Sequence, residues 1–161
     1  MSGAAIYLFI VSALASALWA LPPMPSMADR YGAADVVVLA ELHDTQRRKF
    51  NDISENVSLR VRVEKILKNA SAQAGDESNA IPDEFHLAFL VFPETFEQHL
   101  RRPVGDGRYF LFLKRKVVVD AKGDSGAVLV LTEPRPFAFL PYDQSNLQAL
   151  ESLASQSGDL Q

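Results

Sequence analysis

Apolar and polar positions along most of this chain recur with the two-residue period of half-buried strands. The segment DVVVLAEL, Asp35 to Leu42, is rich in β-branched residues and apolar on both faces, which predicts a strand inside a barrel or beneath a helix. A polar stretch from His43 to Asn56 follows and reads as a loop. In LRVRVEKIL, Leu59, Val61 and Val63 alternate with Arg60, Arg62 and Glu64, so one face meets a core and the other meets water. A second long polar segment, 69–84, precedes FHLAFLVF at Phe85 to Phe92. There Phe85, Leu87, Phe89 and Val91 share one side and His86, Ala88, Leu90 and Phe92 the other, and both sides are expected to be covered.

Pro93 stops that strand, and Phe96, His99 and Leu100 then fall at helical spacing ahead of Pro103. Gly105-Asp106-Gly107 is a turn signal, and Arg108 to Asp120 reads as a long strand or bent pair carrying the basic triplet Lys114-Arg115-Lys116 at its bend or outward edge. AKGDSGA closes a hairpin, Val128 to Leu131 returns, and FAFL at 137–140 belongs at an edge between prolines. Past Pro141 the period lengthens. Leu147, Leu150, Leu153 and Ala154 line one face of a short helix, and Ser145 with Gln148 has the form of a capping box. The expected layout is a signal or anchor over 1–20, a β domain over 26–141, a helix packed on it over 142–155 and a disordered tail over 156–161. Without βαβ spacing, the strands predict a mainly β, small antiparallel barrel of five or six strands with one or two short helices.

The run Ala4 to Leu21 carries no charge, Ala15 and Ala17 supply the small residues a signal peptidase accepts, and LPPMP then breaks the helix. It is expected to export the remainder as a secreted or periplasmic protein, with an uncleaved membrane anchor as the alternative. No Lys or Arg precedes the run. The whole chain has 16 Lys plus Arg against 20 Asp plus Glu, a net charge of −4, which weighs against a general nucleic-acid binder. Cysteine is absent, so disulfides, thiolate metal sites, a cysteine nucleophile and a lipid anchor on a leading Cys are excluded. Asn56-Val57-Ser58 and Asn69-Ala70-Ser71 match the glycosylation sequon, which requires an exposed loop.

Three segments, ADVVVLAEL at 34–42, LRVRVEKILKN at 59–69 and GDGRYFLFLK at 105–114, together resemble the netrin-module superfamily. These are the OB-like barrels that include the tissue inhibitors of metalloproteinases and many bacterial secreted proteins. There the first strand commonly follows Ala-Asp, a strand ends in Val-x-x-x-Leu-Lys, here Val63 to Lys68, and a glycine-led turn precedes an aromatic Phe-Leu strand. The resemblance implies an OB-like barrel and extracellular protein binding. It does not carry over the zinc-gripping amino-terminal Cys of those inhibitors, because this chain has none.

Catalytic chemistry is poorly represented. Gly123-Asp124-Ser125-Gly126 matches the tetrapeptide around a serine-protease nucleophile, but no partner His segment accompanies it and it reads as a hairpin turn. His43, His86 and His99 have no metal-ligand spacing, so no metal or cofactor is expected. The binding candidates are cations: Arg47, Arg48 and Lys49 on the first loop, with Arg101 and Arg102, for a protein partner or an anionic glycan. The reading is therefore a secreted or periplasmic, non-catalytic protein-binding module, inhibitor-like in class. A membrane-anchored structural envelope protein, or a small hydrolase using Glu41 and Asp44, stands as the alternative.

Overall fold

The computed structural model of this chain describes residues 24–70, 80–93, 103–119, 123 and 125–158. The apolar amino-terminal run, the Phe96 to Leu100 helical stretch, Arg101, Arg102 and residues 159–161 of the tail lie outside them. Helix α1 (Met27–Ala33) precedes strands β1 (Val36–Lys49), β2 (Glu55–Asn69), β3 (Glu84–Val91), β4 (Gly107–Val119) and β5 (Ser125–Leu131). A 3-10 turn over Arg135–Ala138, strand β6 (Phe139–Pro141) and helix α2 (Gln144–Ser157) complete the order. The protein is mainly β, as its periodicity predicts. All ladders are antiparallel, the sheet runs β3-β2-β1-β4-β5, and β6 joins β4 beside β5.

The sheet curls on itself. Phe89 on β3 and Phe139 on β6 come from opposite ends of the strand order, yet their rings lie 5.4 Å apart. They join one interior cluster in which Val36, Val38, Ala40 and Leu42 of β1 meet Leu59 and Val61 of β2 and Leu111 and Leu113 of β4. No β3–β5 ladder closes the ring among the described residues, so the barrel is partly open.

A second core lies outside the barrel. Val37 and Leu39 of β1, Phe110 and Phe112 of β4 and Leu67 of β2 pack under Tyr31 of α1 and Leu150 and Ala154 of α2. This layer explains why β1 is apolar on both faces: one lines the barrel and the other meets the helices. A Ser26–Asp29 capping box starts α1. The Tyr31 hydroxyl donates to the Leu67 carbonyl at 3.2 Å, and Lys68 Nζ donates to the Tyr31 carbonyl at 2.9 Å, tying α1 to the end of β2.

Four expectations are corrected. The polar stretch His43 to Asn56 is no loop: β1 continues to Lys49 and β2 begins at Glu55, so a hairpin arm replaces it. Strand pairing satisfies its backbone without burying its side chains, which is why polarity misleads there. Helix α1 is an addition to the expected layout, and Ser26-x-x-Asp29 marks its start. α2 is capped by Asp143, whose carboxylate accepts from the Asn146 N–H at 2.7 Å, and not by Ser145, and it runs to Ser157 where Gly158 takes a left-handed conformation. Finally, β3 is covered on one face only: Leu87, Phe89 and Val91 are buried, while His86 and Ala88 are exposed because the helices do not reach them.

Candidate functional site

Of the expected cations, Arg47, Arg48 and Lys49 fall on β1, and Arg101 and Arg102 lie outside the described residues. Arg47 Nη1 donates to Glu55 Oε2 at 3.1 Å and Nη2 to the Val104 carbonyl at 3.3 Å, which folds the half-buried side chain against the arm. Lys49 pairs with Asp52 at 2.7 Å. Arg48 is exposed and points from the opposite side of β1 to its neighbours, as alternation on a strand requires. The three therefore form no common basic patch. Arg60 reaches Glu84 at 3.1 Å and Asp44 at 3.6 Å, and Arg62 pairs with Glu41. Each of these exposed pairs adds about 0–1 kcal/mol at most, so they specify the register of the arm more than they stabilise it.

The same contacts occupy the carboxylates that a hydrolase would need, since Glu41 faces Arg62 and Asp44 faces Arg60. Asp44 stands at φ 56°, left-handed, where the β1–β2 register shifts between His43 and Gln46, so its geometry serves a bulge. His43 Nε2 lies 3.7 Å from Glu84. Among the described residues no three His, Asp or Glu side chains gather as metal ligands. Ser125 and Gly126 stand on the β4–β5 ladder, opposite Val119 and Val118, and Asp124 lies outside the described residues.

Of the two sequon residues, Asn56 is exposed near the start of β2, whereas Asn69 ends it half-buried with its Oδ1 accepting from Arg115 Nη2 at 2.7 Å. Both stand on strand ends and not on loops. Arg115 also donates its backbone N–H to Asp35 Oδ2 at 3.0 Å, so the middle of the basic triplet ties β4 to β1 and β2.

A large concavity lies elsewhere, along the seam where β3 faces β5. A groove of about 910 Å³ runs there, floored by Ala88 and Leu90 of β3 and by Ser58 of β2 and walled by Leu129 and Leu131 of β5. A smaller cavity of about 250 Å³ between Phe85, Arg115 and Ala127 extends the seam toward the β4–β5 turn. Lys114 and Lys116 rim the groove, and neither has an acidic partner among the described residues. Arg135, on the opposite lip, is held by Glu133 at 2.8 Å and donates from Nη1 to the Leu90 carbonyl at 3.2 Å.

None of the groove residues was singled out as a binding site from the sequence. Two signals were present: the small and polar outer face of His86 and Ala88, and Lys114 and Lys116 spaced two apart on a strand. No family model and no curated protein matches this chain.

Proposed function

We propose that this chain is a non-catalytic protein-binding module of the secreted or periplasmic space, akin to netrin modules, that receives its partner in the groove between β3 and β5. The observation that carries the reading is the groove itself, a long concavity between two sheet edges that no described strand covers. Native proteins usually blunt or cover such edges, so two of them beside one groove favour a site for another chain. The pairing of Glu41 with Arg62 and of Asp44 with Arg60 gives the hydrolase alternative no free carboxylate pair to work with.

The test is site-specific photocrosslinking in the cells of origin, with a benzophenone side chain replacing Ala88 in the groove or Gln148 on the exposed face of α2. A discrete protein adduct is expected from position 88 and none from 148. Identical adducts from both positions, or none from 88, would end this reading. The extracytoplasmic address has its own check: the native mature chain should be shorter by about 17–20 residues, as removal of a signal run requires.

A further inference from the structure

The ladders fix the directions of the two seam edges. β3 is antiparallel to β2, β2 to β1, β1 to β4 and β4 to β5, so β3 and β5 point the same way. One strand laid between them therefore runs antiparallel to both in a single orientation.

Hydrogen bonds fix the phase of each edge. In an antiparallel ladder the N–H and C=O of a residue point to the same side, and successive residues alternate sides. The Leu90 carbonyl accepts from Arg135, which comes from beyond the β3 edge, and the β2–β3 register is unbroken. The backbone groups of His86, Ala88 and Leu90 consequently face the seam. On the other side, the Thr132 N–H donates to the Phe112 carbonyl at 3.1 Å, which turns the groups of Val128 and Val130 toward β4. Those of Ala127, Leu129 and Leu131 then face the seam. These groups belong to no ladder among the described residues, and the Leu90 carbonyl is already engaged by the Arg135 side chain.

The rim selects the occupant by charge. Lys114 and Lys116 stand on one face of β4 at the same-face spacing of a strand, opposite Val130 and Val128, and both are exposed. Glu133 already engages Arg135, so among the described residues these two lysines are the uncompensated charges of the rim. A strand alongside β5 would bring every second side chain to that face, where carboxylates would meet the lysine ammonium groups.

We infer that the groove takes an extended acidic segment of a partner polypeptide, added as a strand antiparallel to β3 and β5, with carboxylates at alternate positions facing Lys114 and Lys116. The inference rests on the protein-binding reading above and names its ligand. The stretch His86 to Leu90 has room for about five residues, or roughly 17 Å of extended chain.

The experiment titrates the full chain with the blocked peptide acetyl-Val-Glu-Val-Glu-Val-amide, followed by backbone amide NMR. Saturable shifts are expected at His86, Ala88, Ala127 and Leu129, with slowed exchange of their amide protons. The double variant Lys114→Glu/Lys116→Glu should weaken binding by about tenfold or more, raised salt should weaken it in the parent, and the Val-Lys-Val-Lys-Val peptide should not bind. N-methylation of alternate peptide nitrogens should weaken binding in either of the two possible phases, because in a strand paired on both sides one phase points toward β3 and the other toward β5. No binding by the Glu peptide, equal binding by the Lys peptide, or indifference to either methylation phase would overturn the inference. Failure of the peptide alongside a specific Ala88 crosslink would overturn strand addition alone. Failure of both would remove the protein-binding reading as well.

Discussion

β1 and β3 are both apolar strands of the same curled sheet, but they occupy opposite situations. β1 has neighbours on both edges and cover on both faces, with Val36 and Val38 in the barrel and Val37 and Leu39 beneath the helices. Among the described residues β3 has one neighbour, one buried face and an outer face left to His86 and Ala88. β4 and β5 repeat the contrast, since Phe110 and Phe112 lie under α2 whereas Val128, opposite Lys116, is exposed. The helices divide the molecule: where they lie, both faces of the sheet add to stability, and where they stop, edges and surface remain for recognition.

The sharpest test of the covered side is Phe112→Ala. Phe112 is fully buried between β4 and the helices, and loss of a buried Phe side chain costs about 3–5 kcal/mol. The midpoint of chemical unfolding should fall strongly with little change in slope. A loss below about 1 kcal/mol would mean that the helix layer is not a second core.

Next in size is Ser26→Ala. The Ser26 hydroxyl accepts from the Asp29 N–H at 3.1 Å, and the Asp29 carboxylate accepts from the Ser26 N–H at 3.0 Å. Losing the cap should cost about 1 kcal/mol, read by the same unfolding curves. A restoring Ser26→Thr variant should recover most of it, because Thr is also a competent cap.

These two positions also divide what the sequence could disclose. The double-sided burial of β1 was legible because Asp35 to Leu42 has no polar face to offer, and the alternation of Leu59, Val61 and Val63 placed β2 correctly. Phe85 to Phe92 misled, because periodicity sorts side chains onto two faces without saying what lies above either. His43 to Lys49 misled for the complementary reason. Its cations look like a free cluster in one dimension, but on a strand Arg47 and Arg48 part to opposite sides and Arg47 meets Glu55 across the hairpin. The groove was least legible of all, because it consists of two strand edges, and an edge is a property of the neighbours a strand lacks.

A smaller effect is expected from acid. The Ser26 hydroxyl, followed by the Ser26 N–H, holds the Asp29 carboxyl below its ordinary value, and the Asn146 N–H with the Ser145 hydroxyl does the same for Asp143. Carboxyls depressed in the folded state add stability above their unfolded value of about 3.9 and lose it as pH falls through the folded one. Thermal stability should therefore be insensitive to these groups near neutrality and decline below about pH 4. In Asp29→Asn/Asp143→Asn that acid limb should be shallower, with Ser26 still capping α1 and Asn a competent cap of α2. An unchanged acid limb would show that carboxylates other than Asp29 and Asp143 govern it.

The smallest change in stability is expected where the largest change in recognition is expected, at Ala88→Arg. Ala88 is exposed on β3, and its side chain points away from the barrel core toward the groove floor. Such a surface substitution should leave the unfolding free energy within about 0.5 kcal/mol of the parent. The long cation would fill the floor and add a third positive charge beside Lys114 and Lys116, so a segment entering the groove loses room even as the field on acidic groups grows. Steric blockade should win, because an added strand must bring its backbone within about 4.8 Å of the β3 edge and no electrostatic gain replaces the ladder it cannot form. Binding of the acidic peptide should be lost in a fully folded protein. If Ala88→Arg instead tightened binding, the groove would be an electrostatic surface and not a strand site. If it unfolded the chain, the outer face of β3 would be as structural as that of β1, and the division between a stable side and a recognising side would fall.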